Sequence, residues 1–171
     1  QESRGLGDVY KRQGLGSLWR QQDPPAANPT LQHSYGKALA QAHNGLPGAA
    51  RVLYQQLGRD DLSAIRRASL YAELPNYPSP QALKLASKDL QHDDPLVRRA
   101  ALGAIAAMVP ANQRSLLLGP LLDDDEDSVR FAAVDALVGL SPDDVGLYFA
   151  PLQNVLDQYQ LALQSLSLIH I

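Results

Sequence analysis

Three groups of residues in this chain could do chemistry by their type and spacing. The first is a phased set of opposite charges. Arg66, Arg98 and Arg130 lie 32 residues apart, with Asp61, Asp93 and Asp125 five residues before each. A guanidinium and a carboxylate in repeated register can form charge-assisted pairs. The second is the acidic run Asp123–Asp127, which reads DDDED. Clustered carboxylates could gather a cation. The run lacks the glycine and terminal glutamate of a helix–loop–helix calcium site. It reads instead as a solvated turn that places negative charge at a helix N-terminus. The third group is the histidines. His33 and His43 flank one helical stretch and could ligate an iron held by another domain, and His92 stands alone. A lone surface histidine is the commoner case. There is no nucleophile elbow, no phosphate-binding glycine loop and no paired carboxylates in an acid–base frame, so no enzymatic activity is expected of these residues.

The elements that must position these residues read as helices. The chain has 171 residues, a net charge of −3, 6% aromatic residues and no cysteine. Its mild acidity argues against a surface that tracks nucleic-acid phosphates. Without cysteine, these residues form no disulfide, no thiolate metal site and no covalent haem attachment. No apolar run is long enough to span a membrane. No stretch alternates with period two, so essentially no sheet is expected. Helices are expected near 35–44, 47–58, 61–74, 79–90, 94–108, 111–122, 127–139 and 143–164. Ser34, Ser79 and Asp94 are read as N-caps, with Pro80 and Pro95 in the first turns. Gly119-Pro120 should kink or end its helix.

An internal repeat organises the middle of the chain. IRRASLYA from Ile65, VRRAALGA from Val97 and VRFAAVDA from Val129 align without gaps. Such a period signals stacked supersecondary units, each too small to bury its own apolar face. The expected fold is therefore all-α, a solenoid of stacked antiparallel helix pairs. Ile65, Leu70, Leu85, Val97, Leu102, Ile105, Leu117, Val129, Val134 and Leu137 are expected in the core. Arg66, Arg98 and Arg130 should sit at its rim, each reaching the aspartate of its own turn or of the next repeat. Arg67, Arg99 and Phe131, one residue further on, are expected to form an exposed stripe for an acidic or aromatic partner surface.

The two ends read differently. LSLIHI, residues 166–171, can be written CTG TCT CTT ATA CAC ATC. The reverse complement, GAT GTG TAT AAG AGA CAG, encodes DVYKRQ, residues 8–13. Both ends resemble translated sequencing adapter, so residues 1–13 and 166–171 are expected to be foreign to the fold. Between them, 14–33 reads as an irregular linker, 34–140 as the repeat array and 141–165 as a long C-terminal helix. The chain is expected to be a fragment of a larger bacterial protein.

DDPLVRRAALGAI and DEDSVRFAAVDAL resemble HEAT-type repeats of the short bilin-lyase-like kind, with the pattern D-P-x-V-R-x-x-A-A-x-A-L. Asp94, Pro95, Val97, Arg98, Ala100, Ala101 and Ala104 carry it, as do Asp127, Val129, Arg130, Ala132, Ala133, Ala136 and Leu137. The first copy keeps Ile65, Arg66 and Ala68 but has Glu73 where an apolar residue is usual. This resemblance implies a non-catalytic scaffold that binds a protein or a neighbouring domain. A narrower resemblance joins SYGKALAQAHNGLPGAARVLYQQL, the repeats and LQNVLDQYQLALQ to the C-terminal part of bacterial multihaem cytochrome c-like proteins, where tetratricopeptide repeats follow. It implies a periplasmic electron-transfer parent whose c-type haem would lie upstream, with no cofactor in these residues.

Overall fold

The computed structural model describes residues 29–169. The expected adapter segment 1–13, most of the 14–33 linker and the last two residues lie outside them. Among the described residues the chain is helix and turn, without a strand. The helices are α1 (Pro29–Asn44), α2 (Ala49–Leu57), α3 (Ala64–Glu73), α4 (Pro80–Asp89), α5 (Pro95–Met108), α6 (Ala111–Leu118), α7 (Asp127–Leu137), α8 (Pro142–Val145) and α9 (Phe149–Ile169). Three 3₁₀ turns follow α3, α6 and α8, at Leu74–Asn76, Gly119–Asp123 and Gly146–Tyr148.

Local chemistry sets most boundaries. Ser63, Ser79 and Asp94 cap α3, α4 and α5, their side chains accepting from the amides of Arg66, Ala82 and Leu96. Pro80 and Pro95 fill first-turn positions, where a missing N–H costs nothing. Gly119-Pro120 ends α6 and tightens the chain into a 3₁₀ turn, as a proline without an N–H requires. Four expectations are corrected. α1 begins at Pro29, so Ser34 lies inside it, where its hydroxyl accepts from Gln56 Nε2 at 2.7 Å. α2 begins at Ala49 rather than 47, because Gly48 sits at a φ of 78°, outside helical geometry. The expected helix 143–164 is broken after one turn, because Gly146 takes a φ of 57°. α9 also runs through the expected adapter boundary to Ile169.

The helices stack in two layers. α1, α3, α5, α7 and α9 pack side by side in chain order, while α2 packs on α4, and α6 on α8, behind them. The core lies between the layers. Counted from each N-cap, the seventh residue is Leu70, Ala101 or Ala133, the eighth Tyr71, Leu102 or Val134, and the eleventh Leu74, Ile105 or Leu137. All nine are at most 2% exposed. Spacings of seven, eight and eleven keep one helix face turned inward. Of the ten expected core residues, Ile65, Leu85 and Leu117 are only half-buried. Leu102 lies at the centre of the middle repeat, so Leu102→Ala is expected to cost about 2–5 kcal/mol in urea unfolding. A loss below about 1 kcal/mol would contradict this packing.

Candidate functional site

The arginines are positioned by the caps, and the caps reveal a shift of one residue. Asp94 and Glu126 stand four residues before Arg98 and Arg130. Ser63 stands three before Arg66 and four before Arg67. The residue equivalent to Arg98 and Arg130 is therefore Arg67. The gapless alignment set the first copy one position out of phase.

All three of these arginines do the same thing. Each sends Nη1 back to a carbonyl of the loop that precedes its own helix: Arg67 to Arg59 O, Arg98 to His92 O at 2.9 Å and Arg130 to Asp124 O at 2.7 Å. The first two also grip a carboxylate from the next second-layer element. Arg67 donates through Nε and Nη2 to Asp89 Oδ2 at 3.0 and 2.8 Å, and Nη2 reaches Leu57 O at 2.7 Å. Arg98 holds Asp124 with two parallel bonds of 3.0 Å, and Nη2 reaches Asp125 at 3.2 Å. Asp89 closes α4 and Asp124 follows the 3₁₀ turn after α6, so both acceptors end a second-layer element. A guanidinium fork suits this double task, because it donates in a fixed plane to several acceptors.

Arg67 is 6% exposed and Asp89 5%. Arg67 is thus buried in a rung rather than displayed for a partner, a correction to the expected stripe. Tyr71 completes the pair, donating its hydroxyl to Asp89 and to Leu85 O. Burial, and then the Asp89 carboxylate, push the Tyr71 phenol far above its usual range, so it stays a donor. Asp124 balances opposing effects. Burial would raise its carboxyl, but hydrogen bonds from Arg98 and the Glu126 amide prevail and hold it below the usual range. The same bond from Asp124 raises the Arg98 guanidinium.

The remaining expected site residues lie elsewhere. The Arg66 guanidinium lies 4.7 Å from the centroid of the Tyr35 ring. Asp61 pairs with Arg59 at 2.8 and 2.9 Å, which lowers its carboxyl, and not with Arg66. Asp93 meets Arg98 through its carbonyl alone. Arg99 is exposed at the surface of α5. Phe131 is half-buried against Tyr159 of α9, with ring centroids 4.9 Å apart, so it is not part of an open stripe. His43 Nδ1 lies 2.9 Å from Glu73 Oε1, and His92 Nδ1 accepts from the Asp94 amide at 3.0 Å. The side chain of His33 lies outside the described residues. In the acidic run, Asp124 and Asp127 serve Arg98 and Arg130, and the Asp124 carboxylate also accepts from the Glu126 amide at 3.0 Å.

Sequence reasoning missed Asp89, Asp124 and Tyr71. One signal was available. Sliding the first copy by one residue moves Glu73 off the core position of Ile105 and Leu137 and puts Leu74 there.

A second feature is a shallow trough of about 280 Å³ on the outer side of α3 and α5. Ala68, Tyr71, Ala72, Ala100, Leu96 and Arg99 are among the residues that line it. Among the described residues, no helix is long and apolar enough to cross a membrane.

Comparison with known families places residues 50–138, just over half of the chain, on a model described as HEAT repeats. No curated protein and no solved structure matches the chain. The match covers the repeats and lends no support to the multihaem-cytochrome resemblance.

Two outcomes follow from the rungs. Arg67→Ala should cost about 3–5 kcal/mol, because it strands the buried Asp89 carboxylate. Arg66→Ala, which removes the contact with the Tyr35 ring, should cost less. Chemical denaturation of both variants checks the order, and the reverse order would restore the gapless register. The lowered Asp124 carboxyl should make stability pH-dependent. A carboxyl depressed in the folded state contributes its full stability above the unfolded value and loses it as the pH falls. Stability should therefore decline from about pH 4 downward, and Asp124→Asn should remove part of that decline. An unchanged acid limb in the variant would assign the dependence to other groups.

Proposed function

Since this chain belongs to the HEAT-repeat family, we propose that it is a non-catalytic scaffold for protein–protein contact, with a docking face on the outer side of α3 and α5. The trough between these helices is the observation that carries the reading. Five of its lining residues are small, Ala68, Ala72, Ala100, Gly103 and Ala104, so a partner side chain can approach the helix backbones closely. Leu96 is 41% exposed at its edge, an apolar contact without a covering neighbour among the described residues. Arg99 stands beside it with no carboxylate partner among the described residues, ready for an acidic residue of a partner. An exposed arginine beside a pocket is the kind of anchor that interface centres favour.

A photo-crosslinking residue at position 99 tests this reading, with one at Asn112 on the exposed surface of α6 as the control. In lysate of the source organism, position 99 should give discrete protein adducts that Leu96→Asp abolishes. The control position should give few. Equal labelling from both positions, or adducts indifferent to Leu96→Asp, would reject the α3–α5 face.

A further inference from the structure

Arg130 has no counterpart to the carboxylates that complete the other two rungs. Its Nη1 grips Asp124 O, as the family of rungs requires, and its Nη2 turns to Asp127, three residues earlier in the same helix. Nε, which takes a carboxylate in Arg67 and in Arg98, has no hydrogen-bond partner among the described residues. The reason lies in the second layer. At the two complete rungs, a second-layer element ends in Asp89 or Asp124. At the third, α8 is a single turn whose acids, Asp143 and Asp144, make no hydrogen bond to Arg130 among the described residues, and Gly146–Tyr148 after it carry no acid. A cleft of about 510 Å³ opens there, lined by Arg130, Tyr148, Asn154, Gln158 and the acidic residues Asp123 and Asp124 among others.

We propose that this cleft is a binding site for an aspartate carboxylate presented at the C-terminal end of a helix or turn of another polypeptide segment. Arg130 would take it through Nε and Nη2, as Arg98 takes Asp124. The chain itself supplies the precedent twice, in the same helix position and with the same donor atoms. The surrounding negative charge does not forbid it. Arg98 binds two aspartates although Asp93 and Asp94 open its own helix. Asp124, which lines the cleft, is already neutralised by Arg98. Asp127 then has a defined part. It occupies the first helical position, held by Ala64 in α3 and Pro95 in α5, and it is 73% exposed. It acts as an internal competitor that an incoming carboxylate displaces.

The inference rests on the scaffold reading only in taking a polypeptide as ligand, and it concerns a different face from the α3–α5 trough. The probe is the acetylated, amidated octapeptide LGPLLDDD, the sequence of residues 118–125, whose seventh residue fills the Arg98 rung. It is titrated at low salt into the full chain while the arginine Nε–H resonances are followed by ¹⁵N NMR. The Arg130 Nε–H should shift and saturate, and the LGPLLNNN peptide should leave it in place. Arg130→Lys, followed through the backbone amides of Asn154 and Gln158 in the cleft, should weaken binding roughly tenfold, since a lysine lacks the fork. Asp127→Asn should bind several-fold tighter, by removing the competitor. Both substitutions are at solvent-accessible positions, and circular dichroism checks that the variants fold. An Arg130 signal that ignores LGPLLDDD in wild type and Asp127→Asn alike would overturn the proposal. So would an equal response to LGPLLNNN, or an Asp127→Asn protein that binds no tighter. The readout is at Arg130 itself, so its failure leaves the crosslinking result at position 99 unaffected.

Discussion

The rest of this structure depends on one demand, that a guanidinium at the fourth position of a helix be satisfied from two directions. Moving an ion from water into a protein interior costs several kcal/mol, and only good geometry offsets it. Arg67 meets that demand with bonds to two carbonyls, of Leu57 and Arg59, and to the Asp89 carboxylate. The carbonyls fix where the preceding loop lies. The carboxylate fixes where the next second-layer helix ends. A helix displaced by one turn would leave a buried charge without partners. Apolar packing alone does not discriminate so strongly, because leucines and alanines pack acceptably in several registers. The rungs therefore act on the choice of register more than on net stability.

The seventh position is Leu70 in α3 and alanine in the other two helices, Ala101 in α5 and Ala133 in α7. The eighth position varies in the same sense: Tyr71 in α3, then Leu102 and Val134. A phenol is large, and its hydroxyl needs a partner when buried. Here the partner is Asp89, which thereby gains a third donor. The first rung is the most buried of the three, and Asp89, like Asp124, receives three donors.

The sequence carried the fold plainly and the site imperfectly, for a physical reason. Helix existence followed from alanine and leucine content and from capping residues, which act locally. Ser79, Asp94 and Gly119-Pro120 marked real boundaries. The repeat was also visible, because the same core face recurs. The first rung was misread because RR at 66–67 can be aligned with RR at 98–99 or displaced by one, and letter matching favours the former. Core geometry favours the latter: Glu73 has no place beside Ile105 and Leu137, and Leu74 does. Counting from the cap is the sounder guide, since the cap fixes which face of the helix each residue shares. The acceptors Asp89 and Asp124 were harder to see. They lie 22 and 26 residues beyond their arginines, so they hold no common phase in sequence. The break at Gly146 was missed for another reason. The apolar spacing of Val145, Leu152 and Val155 continues across it, and only the left-handed glycine interrupts the backbone.

The rungs are also linked to one another, through Asp124. Its carboxylate receives Arg98, and its backbone carbonyl receives Arg130. One residue is thus the far end of one rung and the near end of the next. Arg98 cannot settle without placing the loop that Arg130 reads. A similar link runs upstream, where Asp89 ends α4 and the carbonyls of His92 and Asp93, a few residues on, receive Arg98. Stacked repeats are ordinarily coupled by apolar contact between neighbours, a soft interaction that tolerates sliding. Here each interface also carries a directional polar joint, and consecutive joints share a loop. Geometry fixed at Arg67 is therefore passed to Arg98 and from there to Arg130, so that the position of the last guanidinium is determined by the first.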